Sequence, residues 1–593
     1  MSSSSSSSKL TTINTSINEF QSPINSFRDN ELKWNGWGYI HSNFKLSPEN
    51  GHFYMRSKKY ADLDGKPLPG LRPWVEKNLG IDVELRTPSV SIQSLQIPSP
   101  LISNQQFLEF LRVEDIYYSD ASLTRLARSH GQTLAEIISI RTGKVGRIPD
   151  LVIWPRNEKQ ILKIIEGAKK FEALLIPIGG GTCVSQALLC PENSQKLICS
   201  IDMGMMSSIL NLDVKNMTAT VQATRASGMK KNKYGNIEDL ILSVRICTSR
   251  GILQPRRLGQ VPRLSSGPDL LQILLGSEGQ MGVISEATIK IFPIPEQRCF
   301  GAIIFPDFES GVNFFRAVAL KRWQPASLRL VDNAQFQMGQ AMRVQEGHIS
   351  SAIWQSLARV YLTRWKGFQP DQMVATTCVF EGTAEEVQTE RQRLFTLAST
   401  FGGIRAPDEN GQFGYRLTFA IAYLRDLALD LNVIGESFET SVPWTKVLNL
   451  CKNVKTLLVH EARKRGIEQH ILATCRVTQV YDSGVCVYFY YAFNYRGMDV
   501  LKALEIYEHI ESAARDEILA CGGSISHHHG IGKIRKRWLP TTIGPLGVSL
   551  MESLRSQLDP ENLFNSGNLI ENSSSQTLQL LKNKIEEKEK SKL

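Results

Sequence analysis

The sequence predicts an α+β protein of two large domains preceded by an N-terminal extension. Three observations predict it. A β-α-β pattern ending in a glycine-rich turn occupies residues 151–183. From residue 295 to about 540, long amphipathic helical patterns alternate with strands. The 593 residues are 42% hydrophobic and 21% charged, enough to bury large cores. Apolar stretches are short and interrupted, so no membrane-spanning helix is expected. The net charge of +10 suits nucleic acid, anionic lipid or phosphorylated substrates. The basic residues are dispersed, without an Arg-rich arm or zinc-finger spacing, which argues against nucleic acid. The ten cysteines form no regular framework, as expected in a reducing compartment. Cys183, Cys190 and Cys199 read as buried thiols.

The elements follow in order. Residues 1–100 read as an extension rich in turns, with 1–30 expected to be disordered. It contains the polyserine run Ser2–Ser8 and the pair Trp34 and Trp37, read as packing anchors. Residues 101–146 are helical, with Gly131 separating two helices. Residues 147–294 form the first domain. Leu151–Pro155 is a buried strand, Asn157 caps the next helix, and Gln160 completes a capping box. Leu174–Ile178 is the second strand. Further strands are expected at 197–201, 218–222 and 288–294. Residues 295–540 form the second domain, with an aromatic strand at 485–493. A helical segment at 541–574 and a mobile, charged tail at 575–593 complete the chain.

Four motifs carry chemistry. Pro177, Ile178, Gly179, Gly180, Gly181, Thr182 and Cys183 place three glycines after a strand. Such a loop lets several N–H groups converge on an anion, a pyrophosphate above all. Gly276, Ser277, Glu278, Gly279, Gln280, Met281 and Gly282 form a second glycine-rich connection. Ser526-His527-His528-His529-Gly530-Ile531-Gly532-Lys533 offers imidazoles suited to proton transfer beside an anion. Further ligands at metal-binding spacing are not evident, so no metal is expected. In Tyr488–Tyr495, alternation puts Tyr488 and Tyr490 on one face and Tyr491 on the other. Alternation alone does not choose among them.

With Arg147–Asp150, the two glycine loops resemble the PCMH-type flavin-binding domain, of two subdomains, in the vanillyl-alcohol-oxidase family. Five further stretches sharpen this: Trp34–Gly38, Pro325–Leu330, Gly435–Ser441, the tyrosine strand and the triple-histidine loop. In that order they resemble the alkyldihydroxyacetonephosphate synthase family from near residue 32 to near residue 570. The resemblance implies an α+β cap domain with an antiparallel sheet and flanking helices. It implies FAD held at 177–183, Thr224, Arg225, Ala226, Ser227 and 276–282. The first loop lacks the histidine to which some relatives attach flavin, so the FAD is expected to be non-covalent. Tyr488 is implied as proton donor and acceptor, and His527, His528 and His529 as essential. Arg425 is implied as the substrate-phosphate partner, with Arg329 and Ser437 in the same pocket.

The implied reaction replaces the acyl group of acyl-dihydroxyacetone phosphate by a long-chain fatty alcohol, without net redox change. FAD N5 acts as a covalent electron sink. Association with a membrane surface and a homodimer are also implied. One departure stands out. After Gln222-Ala223 the family carries a few tens of residues with Pro-Asp-Ser and Ser-Thr-x-Gly-Gly elements. Here Ala223 runs directly into Thr224, an apparent internal deletion. A flavin-free, inactive chain is therefore one alternative. A 2-hydroxy-acid dehydrogenase of the same fold is another, although its usual separate metal motif is absent from the sequence.

The last three residues, Ser591-Lys592-Leu593, match the peroxisomal import address, so an import receptor is an expected partner. Removing Leu593 is expected to leave the protein in the cytosol. Fluorescence imaging of the tagged chain checks this, and unchanged peroxisomal signal would refute it.

Overall fold

The computed structural model describes residues 27–61, 63–222, 228, 230–255, 261–344 and 360–570. The polyserine run, residues 224–227 and the terminal tripeptide lie outside them.

Residues 43–68 form a three-stranded sheet, Asn43–Leu46, Phe53–Arg56 and Pro67–Leu68, followed by the helix Leu71–Leu79. The extension is thus more ordered than its turn-rich composition suggests. Its apolar residues Phe53, Met55, Leu71 and Val75 share a core with Tyr423 and Leu427. Lys33 Nζ pairs with Asp426 at 2.9 Å, and the same carboxylate accepts the Trp37 N–H at 3.0 Å.

The next region has two sheets. In the first, Leu151–Trp154 and Leu174–Ile178 lie parallel to Ile198–Asp202 on either side, with Tyr117–Ser119 antiparallel at the edge. The helix Glu158–Lys170 buries Ile161, Ile164, Ile165 and Ala168. Asn157 Oδ1 accepts the Gln160 N–H at 3.0 Å, whereas Gln160 reaches one residue further back, to the Arg156 N–H. The capping box is therefore a shifted one. The second sheet is antiparallel, ordered Gly251–Leu253, Ile241–Thr248, Val283–Lys290, Thr218–Gln222, Ile209–Asp213. The strand expected at 288–294 begins and ends earlier. The β-branched pair Val283-Ile284 starts the ladder, while Pro293 and Pro295 lack donors to continue it.

The third region is a seven-stranded antiparallel sheet. Its order is Ile404–Ala406, Gln297–Phe305, Val374–Gly382, Ser327–Val331, Ile471–Val480, Gly484–Asn494, Val433–Pro443. Helices Phe308–Leu320, Ala384–Ser399, Val447–Lys464 and Val500–Ala520 contribute to the core built on one face. Phe489, Tyr491 and Phe493 point into that core and are fully or almost fully buried. Tyr488 and Tyr490 therefore face the other way. The helix Asp408–Asp430 lies against this sheet.

That helix approaches the strand Gln297–Phe305 where two glycines meet. A Cβ added to Gly411 would fall 2.5 Å from the Gly301 carbonyl carbon and 2.7 Å from its nitrogen. Gly411→Ala would gain about 1 kcal/mol in helix propensity. Overpacking against backbone that cannot rotate away costs about 1–3 kcal/mol and more when nothing yields. The clash wins, so Gly411→Ala is expected to lower the melting temperature. An unchanged or raised value would show that the contact is slack.

Candidate active site

The site lies on the outer face of the seven-stranded sheet. Directly paired residues share a face. Arg476 pairs with Tyr488, Tyr488 with Glu439, and Thr474 and Ser437 with Tyr490. Val331 pairs with Arg476, and Arg329 lies two residues before Val331. Alternation therefore gathers Arg329, Arg476, Tyr488, Tyr490, Ser437 and Glu439 on one surface.

The triple-histidine loop closes over this surface because Glu439 holds it. The carboxylate is fully buried. It accepts the N–H groups of His527 (2.5 Å), His528 (3.2 Å) and His529 (2.9 Å), and the Ser526 hydroxyl (2.8 Å). Burial opposes its charge. His529, His528, Arg515 and the donated N–H groups more than offset that and hold it far below the usual carboxylate range. Glu439, Cys486, His527 and His528 also bring four potential metal ligands within 4.8 Å of one another. The carboxylate's acceptor capacity is already committed to four donors, and burial pushes the Cys486 thiol far up. The cluster reads as a hydrogen-bonded anchor.

The imidazoles form a chain. Tyr488 Oη lies 2.6 Å from His528 Nε2 and 3.2 Å from His529 Nε2. His528 Nδ1 lies 2.7 Å from His527 Nδ1, and His527 Nε2 lies 2.6 Å from Tyr481 Oη. Tyr481 in turn donates to Gln479 Oε1 at 2.8 Å. Burial pushes the Tyr488 phenol well above its ordinary value and lowers all three imidazoles, His527 to about 4. The resting state is therefore a neutral phenol hydrogen-bonded to neutral imidazoles, in which the phenol and each ring can both donate and accept. Tyr481 and Glu439 were not singled out from the sequence. Tyr481 sits in a turn without a motif, and Glu439 looked like one more strand carboxylate.

The glycine-rich segments meet behind this loop. Gly279 packs against Pro177, where a Cβ would lie 3.3 Å from the ring. Glu278 accepts the Ile531 and Gly532 N–H groups, both at 2.6 Å. Ser185 O accepts the Lys533 N–H at 2.9 Å. Residues 276–282 thus brace the first loop against the histidine loop. Gly180, Gly181 and Thr182 line a cavity of about 580 Å³ with Lys33, Trp34, Trp37, His130 and Gln132. Gly181 adopts φ +67°, and a Cβ on Gly179 would meet nothing within 4 Å. The Arg28 guanidinium lies over the turn and donates to Gly179 O at 2.6 Å, and a glycine turn with a cation beside it fits the pyrophosphate of FAD.

A second cavity, about 350 Å³, is shared by Tyr488, His529, Ser437, Arg476 and Arg425. Its other wall is apolar: Phe53, Leu71, Trp74, Val75 and Leu79. Trp37, packed against the core of the extension, lines both cavities. Arg425 is buried, with its guanidinium donating to Gln132 O (2.6 Å), Gln132 Oε1 (2.9 Å) and Glu436 Oε2 (2.9 Å). Arg329 donates to Thr418 Oγ1 at 2.6 Å, and burial with Arg476 nearby lowers it to about 10.

The lowered imidazoles make stability depend on pH. In the unfolded chain an imidazole titrates near 6.5. Between about 4 and 6.5 the unfolded chain therefore binds more protons than the folded one, and stability rises with pH. Glu439 adds a further loss only below about 4.5. The melting temperature is expected to fall from pH 7 to pH 5, with a shallower slope for His527→Asn. Equal slopes would show that His527 titrates alike folded and unfolded.

Comparison with known proteins accounts for this arrangement. The FAD-binding domain profile matches residues 149–224. The profile for the C-terminal domain of FAD-linked oxidases matches residues 294–569. Alkyldihydroxyacetonephosphate synthase of Caenorhabditis elegans is 50% identical, covering 92% of this chain and 96% of its own. That of Dictyostelium discoideum is 26% identical, covering 91% and 93%. A crystal structure of alkyldihydroxyacetonephosphate synthase superposes with a TM-score of 0.75 at 24% identity, covering 92% and 98%. Substrate-bound p-cresol methylhydroxylase superposes at 0.57 with 13% identity, covering 80% and 99%, which shows the shared fold. Both profiles and a relative half identical over nearly the whole length agree, and the chain belongs to the alkyldihydroxyacetonephosphate synthase family of FAD-linked flavoproteins.

Proposed function

We propose that the chain exchanges the acyl group of an acyl-dihydroxyacetone phosphate for a long-chain fatty alcohol. The product carries the ether bond of ether lipids, a fatty acid leaves, and no net redox change occurs. The observation that carries the reading is Tyr488. Its phenol, bonded to two imidazoles, opens onto a cavity lined both by apolar side chains of the extension and by the cations Arg425 and Arg476. A lipid bearing an anionic head is amphiphilic in the same sense.

FAD held along the glycine loop would supply an electron-pair acceptor for the substrate carbon once that carbon has given up a proton. This chain's residues supply orientation and proton transfer. The incoming alcohol must lose its proton as its oxygen bonds to carbon, and the departing carboxylate is the eventual acceptor. Tyr488 Oη is the group placed to take and return that proton, with His528 Nε2 and His529 Nε2 as partners. His527 and Tyr481 extend the chain away from the cavity. The apolar residues of the extension pack along the lipid chain and keep water from it.

The proposal extends to location. Import into the peroxisome runs through Ser591-Lys592-Leu593, read by its receptor. Association with a membrane surface is supported by exposed Val360, Tyr361 and Trp365 beside Arg364 and Lys366. A homodimer is supported by the edge strand Ile209–Asp213, whose Ile209, Leu210 and Leu212 are exposed.

Tyr488→Phe keeps the ring and removes only the hydroxyl. Folding and flavin absorption should survive, while turnover should fall by about a hundred- to ten-thousand-fold. Spectrum, melting and turnover measured on one sample check this. Unchanged turnover with unchanged melting would remove Tyr488 from the chemistry. A purified wild-type chain without flavin bands would favour the flavin-free alternative.

A further inference from the structure

Two cations at the site, Arg329 buried and Arg476 half-buried, lack a counter-charge. Among the described residues, no carboxylate lies within ion-pair distance of Arg329 or Arg476, although nearly all other buried guanidiniums have one or are held by carbonyls. Arg329 is only 6% exposed. Its Nη1 donates to Thr418, and its Nε is buried without a partner. Arg476 stacks over Tyr488 (5.2 Å) and Tyr490 (4.8 Å), and its Nε is also buried and unpartnered. Gln335 is 6% exposed, and its Nε2 is a third buried donor without an acceptor.

These donors share one place. Arg476 and Gln335 line both the substrate cavity and the smaller cavity next to it, which Arg329 also lines. Two neighbouring like charges repel each other, and the buried guanidinium of Arg329 is costly to desolvate without an anion. Native proteins seldom leave such donors idle, and a multiply charged ligand resolves both costs at once. Arg425 presents the opposite picture. Glu436 neutralises it, and Gln132 takes both of its terminal nitrogens. Because Gln132 lines the glycine-loop cavity and Arg425 the substrate cavity, the pair forms the partition between them.

We propose that Arg476, with Arg329 and Gln335, seats the phosphate of the substrate, and that Arg425 is a positioning residue holding the partition. The assignment rests on the proposed substrate class and departs from the resemblance, which gives the phosphate to Arg425. It also explains the placement of Tyr488. A head group fixed by Arg476 lies against the phenol that Arg476 covers, and the rest of the substrate extends toward the apolar wall.

The test uses the full-length flavoprotein and three probes: inorganic phosphate, palmitoyl-dihydroxyacetone phosphate, and the same ester without phosphate. Melting shifts give apparent affinities. Arg476→Gln is expected to lose about ten- to a hundredfold in affinity for both phosphate probes, the range for a hydrogen bond to a charged group, and to bind the phosphate-free ester like wild type. Arg476→Lys should recover part of the loss, since it keeps the charge without the fork. Arg425→Lys should melt lower without ligand yet still prefer the phosphorylated ester. The proposal fails if Arg476→Gln melts normally and keeps wild-type phosphate affinity, or if Arg425→Lys alone loses the preference. If wild type binds inorganic phosphate through Arg476 but not the acyl ester, the anion seat stands and the proposed function falls. If wild type binds the ester but takes it equally well without Arg476, only this assignment falls.

Discussion

The site depends on one buried carboxylate. Three successive backbone N–H groups turned the same way form a cradle for negative charge, and Glu439 supplies that charge from the edge strand of the sheet. Three adjacent imidazoles have no reason of their own to share an orientation. With the backbone pinned, His528 and His529 both reach Tyr488, while His527 turns back to Tyr481. Buried Arg515 braces the same place, donating to the carbonyls of Glu439 and Ile525. A carboxylate with one fewer donor would carry an uncompensated desolvation penalty, so the anchor and the loop stabilise each other.

The same logic recurs one layer away. Glu278 takes the next two N–H groups of the loop, at Ile531 and Gly532. The glycines at 530 and 532 are required because Glu278 and Ser185 approach where side chains would otherwise lie. Two carboxylates, one on the edge strand Val433–Pro443 and one in the turn before Val283–Lys290, thus hold successive halves of one loop. That fixes the cap's tyrosine face relative to the glycine turn of the FAD-binding region.

Much of this was legible in the sequence. The β-α-β pattern, both glycine loops and the tyrosine alternation each rest on local periodicity, and local periodicity is what a sequence displays. The family resemblance supplied Tyr488 and the histidines as a group. Partnership across long separations was not legible. Arg425 and Arg476 are similar arginines in similar apolar surroundings, 51 positions apart. Only the packed structure shows that Glu436 and Gln132 engage one and leave the other unpaired. The early end of the strand at Lys290 was legible in Pro293 and Pro295, and its early start at Val283 was missed because the residues after Gly282 were read as part of the glycine-rich connection.

The tyrosine–histidine chain has a direction. Between Tyr488 and Tyr481 each contact holds one hydrogen, and the two neutral rings can all donate one way or all the other. Moving a proton in at one end and out at the other reverses every member, like a row of switches with only two settings. A reaction that withdraws one proton and later returns one at the same end leaves the row as it began. An exchange of alkoxide for carboxylate has that symmetry. A net release of protons through the row would leave it inverted after each cycle until its members turned back. The wiring favours swaps over one-way chemistry.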